Sequence, residues 1–217
     1  MGPPLGFGAV ANDLAHLLGG AMLVLSFGLL YQRRLTALIN LYAVQTWALA
    51  AAAGWQGWVQ RSPELGVAGL IALGAGVAIP IMLHRIVRGL RIHQIVETAL
   101  GIFPGMVVGI VLVALAVLVV LPATMDGPLP TRENLALALS VVLLGPLMMI
   151  TRRSALAQLV GFMSMENGLL LAAVGVRGMP LVMASSVAVL ALGGVLVSGV
   201  VFFGIRERFD RPNEAPR

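Results

Sequence analysis

Cysteine is absent from the 217 residues, so the chain offers no disulfide framework, no thiolate metal site and no ligand for an iron–sulfur cluster. Lysine is absent as well, because all fourteen basic residues are arginine. That excludes every Schiff-base mechanism, including a retinal-binding seven-helix pump, and every lysine-bearing phosphate loop. Charge is also scarce. Only 11% of residues are charged, against roughly 25% in soluble domains. With 59% hydrophobic residues gathered in long runs, neither a water-soluble globule nor a disordered chain is compatible with the composition. Mean hydropathy is +0.98.

Apolar runs occupy about 13–31, 35–58, 65–84, 95–121, 133–151, 155–175 and 180–204. Each matches the roughly 20 residues that a helix needs to cross a bilayer. None alternates polar with apolar, as strands of a membrane barrel would. The fold expected is an all-α membrane protein of seven transmembrane helices. No basic region opens the chain at 1–11, so no signal peptide is expected there. Seven spans place eleven arginines on one face and only Arg61, Arg132 and Arg177 on the other. This bias predicts the N-terminus outside and the C-terminus cytoplasmic, and the basic pI reflects topology rather than nucleic-acid binding. Residues 1–126 read as a four-helix membrane region, 127–205 as a three-helix unit and 206–217 as a cytoplasmic tail.

Packing features are visible too. Gly101, Gly105 and Gly109 form a tandem small-residue stripe, which predicts close helix approach on the fourth span. Pro80, Pro104 and Pro146 are expected inside spans three, four and five.

Nearly all nine acids lie near helix ends or in the tail; Glu166 does not. It follows Arg153 by thirteen residues, which at about 1.5 Å per residue sets it roughly 20 Å into the membrane. A charge there costs about 2.5–3.5 kcal/mol even on the lenient insertion scale, so a carboxyl at that depth suits a proton relay. The bland reading is a protonated side chain that bonds a neighbouring helix, with Ser164 and Asn167 as local partners. The second span carries a polar set of Asn40, Tyr42, Gln45 and Thr46, read as interhelical hydrogen bonding or as part of a hydrated path. His93 and Glu97, four apart, would share a helix face if helicity extends that far, and read either as solvated flanking charge or as a cytoplasmic polar entrance with nearby arginines. Asp13 and His16 are expected to pair at the outer end of the first span. The relay candidates are therefore Glu166, Glu97, Gln45, Asn40 and His93, supported by Ser164, Asn167, Arg152 and Arg153.

The stretch from Arg33-Arg34 to Gly54 echoes that from Arg152-Arg153 to Gly175. Aligning their ends sets Val44-Gln45-Thr46 against Met165-Glu166-Asn167, as a duplicated three-helix unit would.

Thr151-Arg152-Arg153-Ser154, Leu156, Leu159, Gly161-Phe162 and Met165-Glu166-Asn167-Gly168 together resemble the K subunit of bacterial complex I (NADH:quinone oxidoreductase). The whole chain, with Pro80-Ile81-Met82-Leu83-His84-Arg85, is similar to component E of the hydrogenase-4/formate hydrogenlyase type. The resemblance implies a non-catalytic subunit in the bacterial cytoplasmic (inner) membrane, contributing to proton translocation through a buried carboxylate. It implies antiporter-like and quinone/anchor-type membrane partners, membrane lipids and a peripheral hydrogenase module. No cofactor is expected in this chain; nickel–iron and iron–sulfur centres would belong to the partners. One departure is clear. The complex I subunit has a second buried Glu in its third helix, whereas 180–204 here contains no acid. Glu97 or a neighbouring subunit would supply that second station. The alternatives are a purely structural scaffold of the membrane arm, or a subunit of a related cation/proton antiporter-like complex.

Overall fold

The computed structural model describes residues 7–89, 96, 99–125 and 129–175. These form six helices: α1 (Phe7–Tyr31), α2 (Leu35–Gln60), α3 (Pro63–Gly89), α4 (Ile102–Ala123), α5 (Leu129–Thr151) and α6 (Ala155–Gly175). All six are long and apolar enough to cross a membrane. Helices suit that solvent because each backbone N–H and C=O is satisfied within its own segment. The seventh expected span, 180–204, lies outside the described residues.

Short turns make successive helices antiparallel. Arg61 closes α2 in the left-handed conformation (φ 52°, ψ 36°), and the Ser62 N–H donates to Gly57 O at 3.0 Å. Pro63 then opens α3, where its missing N–H is no loss. Arg33, Arg34, Arg85, Arg88, Arg152 and Arg153 consequently collect at one end of the bundle, with Arg61 and Arg132 at the other.

The fourth span starts later than hydropathy suggests. α4 begins at Ile102, and Val96 and Ala99–Gly101 are not helical. Their backbone groups bond to other turns: the Val96 N–H donates to Arg33 O at 2.7 Å and the Ala99 N–H to Thr151 O at 2.8 Å. This segment thus stitches the α1–α2 turn to the α5–α6 turn. Pro104 falls in the first turn of α4, where it costs no ladder bond, and Pro122 is the proline inside that helix. Pro80 and Pro146 do lie inside α3 and α5.

Close helix approach occurs elsewhere than on the stripe expected. Gly101 sits before α4, while Gly105 and Gly109 face the side chains of Leu30, Phe27 and Leu144. The backbones meet instead between α2 and α3 and between α5 and α6. A Cβ on Gly57 would stand 2.7 Å from Gly66 N, and one on Gly168 would stand 2.7 Å from Val142 N.

α2 is the hub. It packs on α1, α3 and α6, whereas α3 and α6 scarcely touch one another. A crevice therefore runs between α3 and α6, floored by α2. At the arginine end it is underlain by a tight apolar cluster that includes Leu35, Leu38, Ile39, Leu83, Ile86, Leu156 and Val160. At the opposite end Ala53, Leu65, Ala68 and Val174 form a smaller one. α4 contacts only α5 and α1 to any extent and leaves most of its apolar surface facing outward.

Candidate functional site: a buried carboxyl beside a water-sized cavity

Glu166 lies eleven residues into α6, about 16 Å from its start, and is 4% exposed. Its carboxyl makes no hydrogen bond to any described residue. It borders a cavity of about 30 Å³ set into the crevice between α3 and α6. That is room for one or two water molecules.

The polar wall comes from α2 and α6: Tyr42, Thr46, Glu166 and Asn167. α3 contributes alanines at 68, 72 and 75, whose small side chains leave the space open. Asn167 donates from Nδ2 to Thr46 Oγ1 at 3.0 Å, and the Thr46 hydroxyl donates to Tyr42 O at 3.0 Å. Tyr42, 2% exposed, has its phenol beside the Thr46 hydroxyl and lines the same cavity as Glu166. A carboxyl, a phenol and an amide thus surround one small wettable space, with apolar layers toward either membrane face. The arrangement can hold a proton on the carboxyl and hydrate it.

The remaining candidates divide. Gln45 is fully buried but faces α1, where its Nε2 donates to Ser26 Oγ at 2.8 Å and Ser26 donates to Met22 O. Adjacent positions on a helix point about 100° apart, so Gln45 and Thr46 serve different sides of α2. Gln45 therefore does not join Glu166, although the repeat alignment sets them opposite. Asn40 is exposed and belongs to no buried path. Ser164 is buried but does not bond Glu166. Glu97 and His93 lie outside the described residues; the described residue between them, Val96, is non-helical.

Arg152 and Arg153 also part company. Arg153 is exposed. Arg152 is 2% exposed, and its Nη2 donates to Leu30 O at 2.6 Å and to Leu29 O at 3.1 Å. These carbonyls belong to the last turn of α1, which lacks its own donors, so Arg152 caps α1 from another turn. Burial, with the Arg33 charge second, draws its guanidinium below the usual arginine range. Its role is to hold two turns together.

At the other end, His16 pairs with Glu133 at 2.9 Å, not with Asp13, because α1 and α5 start side by side. Among the described residues no cluster of three His, Asp or Glu gathers to hold a metal ion.

Ser26 and the capping role of Arg152 were not readable from the sequence. A signal for the Thr46–Asn167 contact did exist: these two positions are paired in the repeat alignment. In comparisons with protein-family models, curated proteins and solved structures, none matches this chain.

Proposed function

We propose that the chain is a proton-conducting membrane subunit of a larger energy-converting complex, with Glu166 as its protonatable group. The observation that carries the reading is the burial of this carboxyl beside a water-sized, hydroxyl-lined cavity at mid-helix. An ionisable group at that depth is expensive to keep, and proton transfer gives it a use. The crevice between α3 and α6 supports lateral transfer, since apolar clusters lie on the described path toward each membrane face. Sequence resemblance favours a complex-I-like hydrogenase of the hydrogenase-4/formate hydrogenlyase type as the parent assembly, with redox centres in its other subunits. The arginine-rich end faces the cytoplasm in this reading, and a seventh span carries the C-terminus to the same side.

The test is Glu166→Gln in the assembled complex. Proton translocation by everted membrane vesicles, driven by the native redox reaction, should be lost while the subunits still co-purify. Unchanged translocation with normal assembly would remove Glu166 from the path.

A structural scaffold is the second reading, favoured by Arg152, which joins two turns and touches no part of the cavity. Under it, Glu166→Gln changes assembly or changes nothing.

A further inference from the structure

The inference here rests on Glu166 being the protonatable group and asks what allows it to give its proton up. A carboxylate is an acceptor only and seeks several donors, so its release of a proton depends on N–H or O–H groups around it. Most donors of the cavity wall are already committed. The Thr46 hydroxyl donates to Tyr42 O, and one Asn167 N–H donates to Thr46 Oγ1. Two more are at hand: the second N–H of Asn167, and the phenolic O–H of Tyr42, which lies beside the Thr46 hydroxyl and can turn from it toward the cavity. The amide is anchored to α2 through its first N–H, which limits where the second can point. The phenol turns about its own C–O bond and borders the same small cavity as the carboxyl.

We propose that Tyr42 is the hydrogen-bond donor that stabilises ionised Glu166, acting through water held in the cavity between them. In the protonated state the Glu166 O–H donates to that water. When the proton leaves, the water reverses and donates to the carboxylate while accepting from the Tyr42 O–H. The phenol keeps its proton throughout, so no bond at Tyr42 is made or broken. Tyr42 is a positioning residue, working on Glu166 through water.

Infrared difference spectroscopy of the assembled complex, together with proton flux in vesicles, tests this. Glu166→Gln identifies the carboxylic C=O band by removing it and abolishes flux. In Tyr42→Phe the band should persist and move to higher wavenumber, because the network hydrogen-bonded to it is lost. Flux should fall about tenfold or more, the worth of one hydrogen bond to a charged group. Replacing Tyr42 with a fluorinated tyrosine keeps its shape, guards against a folding defect, and should shift both readouts. If Glu166→Gln abolishes flux but neither change at Tyr42 moves the band or the flux, Tyr42 has no such role and the reading of Glu166 stands. A moved band with unaltered flux also overturns the proposal. Flux surviving Glu166→Gln overturns the parent reading, and this one with it.

Discussion

Asn167 of α6 donates a hydrogen bond to Thr46 of α2 across 3.0 Å, and these are the two residues that the internal echo of the sequence sets opposite one another. Positions that the sequence echo aligns therefore meet at one interhelical hydrogen bond. Both helices start at the arginine-rich end, so the two segments run in parallel.

Thr46→Val keeps shape but leaves the Asn167 amide without its acceptor. Interhelical hydrogen bonds in membranes average about 0.6 kcal/mol, with a maximum near 1.7. Unfolding in mixed micelles should show a loss within that range. A loss near zero would mean that the amide finds another partner.

Arg152→Met should be more damaging. It removes the donors to Leu29 O and Leu30 O and withdraws a cation from the C-terminal end of α1. A buried cation at a helix C-terminus is worth up to about 2 kcal/mol, so a loss near that size is expected in the same unfolding assay. Arg152→Lys should recover only part of it, because a single ammonium lacks the planar fork of a guanidinium. Arg153→Met, at the exposed neighbour, serves as the control and should change little.

Two glycines give a matched pair. A Cβ on Gly145 would lie 2.6 Å from Met165 Cβ and 2.8 Å from Gly161 O, so Gly145→Ala must push α5 from α6. Overpacking of this kind costs about 1–3 kcal/mol. Gly20 has nothing within 4 Å of the same position. Gly20→Ala should be neutral or stabilise by up to about 1 kcal/mol through helix propensity. Thermal inactivation of the purified protein would separate the two.

The absence of native cysteine makes topology easy to test. A membrane-impermeant thiol reagent should label Ser62→Cys in intact cells. Ser154→Cys, at the arginine-rich end, should react only once the membrane is opened. The reverse pattern would invert the proposed orientation.

Much of the architecture was legible because hydropathy reports the solvent directly. The expected span 155–175 coincides with α6, and 35–58 falls two residues short of α2. α3 runs on to Gly89, past the apolar run that ends near 84, because a helix continues through the interface while its arginines reach water. The fourth span was misplaced for the opposite reason: Val96 is apolar, but its backbone is used by the Arg33 turn and not by a helix. At the site, Glu166 was legible from the cost of burying a charge. Its surroundings were not. Whether Gln45 or Thr46 meets α6 depends on the rotation of α2, which is bound up with its close packing against α3 at Gly57 and Gly69.

The apolar clusters above and below the cavity give the described helices the electrical character of an insulator with a side terminal. On the proposed reading, a proton held at Glu166 meets, among the described residues, apolar side chains toward both membrane faces. A surplus copy would then add little leak to the membrane potential, a consequence that belongs to the proposed reading alone.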